Sequence, residues 1–360
     1  MWSPPNPADG VRGCGVSWDF LQKRTDLHQE KGVSSGSGNT SPSKPGMKFN
    51  LECFGLPNIG NSCYLNATVQ SLMTLEPFMM SMSSQENLWR DNTEAGLLRH
   101  LHALREARYS TDMDQRVRLV VSLKALIASK ALEYTGFQQK DAHEFLTVLL
   151  EQIQSLRPTM QSFASSLGTI YSCPVQNLIF NMDWTRTCQR CGTGSSQTQI
   201  FNSLSLTLHR GATTQELLED NLKATELQFK CICGSEISHQ QTSFSTLPNV
   251  LILRLKRIRY SPSYELEKVS DAVHLNRDIV VTSRDDAGCF SLVGITSHIG
   301  SSPHYGHYIF DGRDMSDSPH EPDGWLSYND DHVERCTGSQ VCRSRQSIAY
   351  MLFYQRVVCN

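Results

Sequence analysis

The chain lacks any apolar run near the roughly 18–20 residues that a bilayer span requires, so a membrane protein is not expected. Its opening residues, MWSPPNPADG, have neither the basic nor the apolar region of a secretory signal. The formal net charge is only −3, which leaves no strongly basic surface for a phosphate backbone, so nucleic acid is not an expected partner. No internal repeat is visible, which argues against a solenoid or a propeller. What the chain does have is cysteine, with 12 in 360 residues. In a small secreted domain that number would form a disulfide framework. Without a secretion signal, an intracellular location, cytoplasm or nucleus, is expected, with cysteines that are buried, metal-binding or catalytic. Hydrophobic residues make up 39%, enough for a real core, and a monomer is expected.

Residues 33–46, VSSGSGNTSPSKPG, bury too little apolar surface to offset their ordering entropy, so residues 1–50 are expected to be a disordered tail and linker. Within them GVSWDFLQKR is a candidate short docking element. Order is expected from near Phe54. Leu65, Val69, Leu72 and Met73 recur at helical spacing, as do Ala142, Phe145, Leu146, Leu149 and Ile153, and residues 95–132 also read as helical. Later segments are short and rich in branched and aromatic residues: SCPVQNLIFNMDW, TQIFNSLSLTL, NVLILRLKRI, HLNRDIVV, FSLVGITSHIG, HYGHYIFDG and AYMLFYQRV. These read as strands, the basic RLKRIRY included, whose apolar alternation speaks against a targeting role. A helical first part and a β-rich second part predict an α+β protein with its site between the layers.

Cys63 falls where the turn LPNIGNS gives way to a helix. Free N–H groups and the helix dipole stabilise a thiolate there, and a thiolate is the nucleophile of a cysteine hydrolase. A buried core thiol is the alternative. Asn58 and Asn61 lie just upstream, and either amide has the reach to donate to an oxyanion beside Cys63. A thiol protease also needs an imidazole and a group that orients it, drawn from distant parts of the chain. His298, His304 and His307 are candidates, with Asn329, Asp330 and Asp331 on a following hairpin; the order Cys, His, Asn or Asp is papain-like.

Two further cysteine pairs, Cys188-Gln-Arg-Cys191 and Cys231-Ile-Cys233, are candidate knuckles for a structural Zn²⁺. The second pair has one intervening residue instead of two. A ribbon without metal, or two unrelated pairs, are the alternatives.

Taken together, these segments resemble the ubiquitin-specific proteases, from about residue 53 to residue 357. GLPNIGNSCYLNATVQSLM looks like that family's cysteine box, and FQQKDAHEFLTVLLEQI like its Gln-Asp-Ala-His-Glu-Phe segment. LPNVLILRLKRI, HYGHYIFDG and WLSYNDDHV look like its strand and histidine-box motifs. YSCPVQNLIF, RTCQRCG and SHIGSS look closest to the subgroup that includes ubiquitin-specific protease 37. The resemblance implies a papain-like fold spanning residues 51–357. Its helical thumb would cover about 54–165, its zinc-ribbon-like β fingers about 170–245, and its β palm most of the remainder. It implies a deubiquitinating thiol protease acting after ubiquitin's C-terminal glycine through an acyl-enzyme, and a rival reading is a ubiquitin-binding module without turnover. Cys63 would be the nucleophile, His307 the general base, Asn329 the third member with Asp330 adjacent, and Asn58 the oxyanion donor. Gln139, Asp141 and Glu144 would face ubiquitin's arginine-bearing tail, with Tyr305 and Tyr308 on the wall of its channel. Ser62 stands where Thr is usual and Lys140 precedes Asp141. Asn329 is neutral, and the bulky Tyr305 narrows the channel that the resemblance implies.

Overall fold

The computed structural model describes residues 53–261, 263–302, 305–314 and 323–359. The expected tail at 1–50 with its docking element, and the candidate His304, lie outside the described residues.

Among the described residues seven helices come first: α1 (Cys63–Thr74), α2 (Glu76–Ser83), α3 (Glu86–Trp89), α4 (Gly96–Ala107), α5 (Met113–Ala128), α6 (Ala142–Ser155) and α7 (Arg157–Ser166). The five apolar positions expected on α6 are all buried. Helix α1 departs from the amphipathic expectation, because every one of its residues is buried, polar ones included. Several of its polar side chains are satisfied locally or by neighbours, while Asn66 Oδ1 and both amide atoms of Gln70 are buried without a protein partner among the described residues. Thr68 Oγ1 donates to Ala142 O at 3.2 Å, Thr74 Oγ1 to Gln70 O at 3.0 Å, and Asn66 Nδ2 to the carbonyls of Leu56 and Pro57 at 3.1 Å each. Pairing of this kind lowers the cost of burying a helix all round.

The strands follow. A four-stranded antiparallel sheet, the finger sheet, has the order β2 (Gly194–Phe201), β1 (Phe180–Cys188), β5 (Ile237–Phe244), β4 (Thr225–Gln228). An eight-stranded sheet, the palm, runs β13 (His332–Thr337), β12 (Gly324–Asn329), β11 (His307–Arg313), β10 (Ala287–Ile299), β14 (Ala349–Val357), β6 (Val250–Leu255), β3 (Leu204–Leu206). Strand β9 (Asp278–Thr282) also pairs with β10, and β7 (Ile258–Tyr260) forms a separate hairpin with β8 (Leu266–Lys268). The segment read as one strand from Ser172 to Trp184 is divided: Pro174–Leu178 is a 3₁₀ turn and β1 starts at Phe180. Pro174 lacks the N–H that a strand ladder would use and suits the first turn of a helix.

The palm is buried on both faces, and its sequence shows it with period two. Val250, Ile252, Tyr350, Met351 and Phe353 pack with the helices. Leu251, Leu253, Leu255, Leu352 and Tyr354 pack on the other face with Phe180, Met182 and Phe244 from the root of the finger sheet. The outer strands of the finger sheet are exposed almost throughout.

The basic segment after β6 has a structural use. Arg257 is fully buried and donates to the carbonyls of Ala349, Val269, Asp271 and Gln346. It ties β6 to β14 and to the residues after β8. Among the described residues no helix is long and apolar enough to cross a membrane.

Candidate functional site

Helix α1 lies against β11, so the two chain segments holding Cys63 and His307 meet at the seam between helices and palm. The approach to Cys63 is a tight loop with positive φ at Gly60 (107°) and Asn61 (48°). A Cβ on Gly60 would lie 2.8 Å from the Phe137 ring, so only glycine fits there. Asn61 spends its amide on the Phe137 carbonyl at 2.8 Å. Asn58, the other candidate, is held from both ends of its side-chain amide. Its Oδ1 accepts from Gly60 N (3.0 Å), Ser62 N (3.2 Å) and Ser62 Oγ (3.3 Å), and its Nδ2 donates to Asp330 Oδ2 at 2.8 Å. One N–H of Nδ2 remains after that bond.

Asp330 is the first residue of the two-residue turn between β12 and β13, with φ of 53°. Asp tolerates this left-handed conformation better than most residues. Its other oxygen accepts from Asn66 Nδ2 at 2.8 Å, and its carbonyl accepts from Leu56 N at 2.9 Å. The carboxylate is thus bound to two amides of the cysteine segment, and the imidazole's neighbour is Asn329. His307 Nε2 donates to Asn329 Oδ1 at 2.6 Å, which leaves Nδ1 for the thiol. The hydrogen bond with Cys63 is the largest influence on His307. With help from Asn329 and against partial burial, it lifts the imidazole to about 9. His298 behaves in the opposite way: burial, aided by Lys268, drives it down to about 4. It stacks on Tyr308 with ring centroids 4.6 Å apart. The two histidines are therefore shifted in opposite directions, His307 upward beside the thiol and His298 downward in the core.

Gly306 precedes His307 and has no room for a side chain, since a Cβ would sit 2.2 Å from His298 Nε2 and 2.5 Å from Ile299 O. Its N–H donates to Gln139 Oε1 at 3.0 Å, which links the lead-in to α6 with the histidine loop. Asp141 caps α6, accepting from His143 N and Glu144 N at 2.9 Å each, while its second oxygen accepts from Tyr350 (2.6 Å) and Tyr308 (3.3 Å). Both oxygens are already occupied, and Tyr308 is buried as its partner. Glu144 is exposed one turn into the helix, and Tyr305 is 73% exposed. Sequence reasoning missed the role of Asn66, which reads as an ordinary helical residue. The reach from α1 to Asp330 depends on a contact 264 residues apart.

Cys188, Cys191, Cys231 and Cys233 bring their sulfurs within 4.8 Å of one another at the tip of the finger sheet. Cys188 and Cys233 are 3.7 Å apart, Cys191 and Cys231 3.6 Å. A tetrahedron with Zn–S bonds of about 2.3 Å has edges of roughly 3.8 Å, so this donor set fits a metal ion of that kind. The short second pair closes because Gly234, with φ of 85°, turns the chain and Cys231 N bonds to Ser235 O at 2.8 Å. Backbone N–H groups of Cys191 and Arg190 pull the Cys188 thiol down to about 6. A different pairing, not expected from the sequence, is a disulfide between Cys289 and Cys359.

A thiol at a helix start, with an imidazole and an amide from a facing sheet, defines the papain-like class of cysteine hydrolases. The family model "Ubiquitin carboxyl-terminal hydrolase" matches residues 54–354, and the chain belongs to that family. It lies near the subgroup of ubiquitin carboxyl-terminal hydrolase 37. The mouse (Mus musculus) protein of that name is 28% identical over 74% of this chain, and the human (Homo sapiens) one 30% identical over 64%. The chain spans 30% and 26% of the length of these two relatives. The solved structure of the SAGA Ubp8/Sgf11/Sus1/Sgf73 DUB module bound to ubiquitin aldehyde is similar with a TM-score of 0.71 and 22% identity. That match covers 89% of this chain and 72% of the other, and it shows the shared fold.

Proposed function

We propose that the chain is a deubiquitinating thiol protease that hydrolyses the bond after the C-terminal glycine of ubiquitin. The observation that carries this reading is Cys63 at the start of α1, packed against the strand that begins with His307, with His307 held in turn by Asn329 at 2.6 Å. The Cys63 thiolate attacks the glycine carbonyl, and the His307 imidazolium gives its proton to the leaving lysine amine. His307 then takes a proton from water, whose oxygen attacks the acyl carbonyl and expels Cys63 as the thiolate, restoring the starting pair. Asn329 fixes the ring so that Nδ1 faces the sulfur. The unused N–H of Asn58 stabilises the oxyanion, and Asp330 holds Asn58 in place. Glu144 offers an exposed carboxylate to the arginines of ubiquitin's tail, while Asp141 and Tyr308 position the wall of the channel. Tyr305 sets the width of its mouth.

In this reading the finger sheet, with its exposed outer strands, holds the body of ubiquitin. Cys188, Cys191, Cys231 and Cys233 would hold a Zn²⁺ ion, which supplies folding energy to a sheet with little core of its own. The test is cleavage of linkage-defined diubiquitin by the wild-type chain and by Cys63→Ala. The variant is expected to bind ubiquitin and to cleave nothing. A variant that still cleaves sinks the assignment, and a wild-type chain that binds but never cleaves favours the binding-module reading.

A further inference from the structure

Asp183 lies in the middle of β1, opposite Thr198 on β2 and Ser243 on β5. Phe180 and Met182 insert into the palm core, so Asp183 points to the other face of the sheet, yet its side chain is only 3% exposed. One oxygen accepts from Thr198 Oγ1 at 2.5 Å, and the other pairs with Arg284, whose side chain is 63% exposed. Arg284 belongs to the turn between β9 and β10, which is part of the palm. That turn is closed by Ser283 N to Asp286 O at 2.7 Å, and Asp286 pairs with Arg356 of β14 at 2.5 Å. The same turn also touches the finger sheet through its backbone, with Arg284 N donating to Phe244 O at 3.1 Å beside a parallel bridge between Phe244 and Ser283. Two ion pairs, Arg356 with Asp286 and Arg284 with Asp183, therefore tie this one turn to the palm and to the finger sheet. Among the described residues, Arg284 with Asp183 is the one ion pair that joins a strand of the finger sheet to the palm.

We infer that the β9–β10 turn sets the inclination of the finger sheet on the palm, and that Arg284 is a positioning residue for ubiquitin affinity. A carboxylate buried this deeply is costly without its partner. Without Arg284 the carboxylate loses its ion pair and the turn its side-chain tie to the sheet, which frees the sheet to tilt and displaces the finger tip while Cys63 and His307, anchored in α1 and β11, stay where they are. The inference rests on the reading that the finger sheet contacts ubiquitin.

The experiment compares two fluorogenic substrates with the full chain: ubiquitin carrying a C-terminal coumarin amide, and a short peptide ending in the same Arg-Gly-Gly coumarin amide. The peptide is too small to reach the finger sheet. For Arg284→Ala the KM for the ubiquitin substrate should rise about fivefold with kcat unchanged, the signature of lost uniform binding. Turnover of the peptide should stay at the wild-type level, and Arg284→Lys should recover most of the loss. An unchanged KM for ubiquitin in a variant with a wild-type circular dichroism spectrum overturns the inference, as does an equal loss on both substrates. A wild-type chain that shows no preference for ubiquitin over the peptide removes the underlying reading, and the inference with it.

Discussion

Replacing Asp330 tests how the oxyanion donor is held. The carboxylate accepts two amide hydrogen bonds of 2.8 Å each, from Asn58 on one oxygen and Asn66 on the other. In Asp330→Asn the backbone conformation survives, because Asn tolerates the left-handed region as well as Asp does. The new side chain has one acceptor oxygen facing two donors, so one of the two amides must meet an NH₂ group. A hydrogen bond to a charged group is worth roughly 1.5–3 kcal/mol, and each 1.4 kcal/mol is a decade in rate. If Asn58 is the amide released, kcat should fall about 10–100-fold. The ceiling is the ~10²–10³-fold cost of losing an oxyanion donor altogether. The assay is steady-state hydrolysis of ubiquitin coumarin amide by Asp330→Asn, Asn58→Ala and the double variant. If Asp330 acts through Asn58, the double variant is no slower than Asn58→Ala. Multiplicative losses in the double variant would refute the reasoning.

The neighbouring Cys63 thiol is what raises His307 from the ordinary 6.5 to about 9. Cys63→Ala should lower its titration midpoint by NMR, and a midpoint still near 9 contradicts the pairing. Because the folded value is the higher one, the pair contributes stability that is complete below about pH 6.5 and lost as pH rises through about 9. Reaction of Cys63 with electrophiles should change over the same upper window, whereas His298 takes no part. For the cysteine cluster, elemental analysis should find one zinc per chain. Chelation or Cys231→Ser should lower the melting temperature and release the metal, and a metal-free chain of unchanged stability would refute the site.

Several parts of this site were legible in the sequence because they are local. The turn LPNIGNS and the apolar spacing after it place Cys63 at a helix start, and period-two alternation in VLILRL and AYMLFYQRV gives two strands of the palm. Other parts depend on distant chain segments, which no local pattern reports. Asn58 and Asn61 differ in the distant partner that each amide finds, Asp330 for Asn58 and the Phe137 carbonyl for Asn61. His298 and His307 differ by burial and by which face of the antiparallel β10–β11 pair they occupy. Gln70 lies off the apolar face of a helical wheel, yet α1 is enclosed by β11 and α6 and Gln70 is buried. The buried Arg257 reads as one charge in a basic run, and only the four carbonyls around it show its use.

The central claim is that Cys63 is the attacking nucleophile. Ubiquitin carrying a C-terminal electrophile should form a covalent adduct with the full chain, and peptide mapping should place that adduct on Cys63. His307→Ala should slow adduct formation strongly, and Cys63→Ala should abolish it. An adduct on any other cysteine, or tight ubiquitin binding with no adduct, would contradict the account.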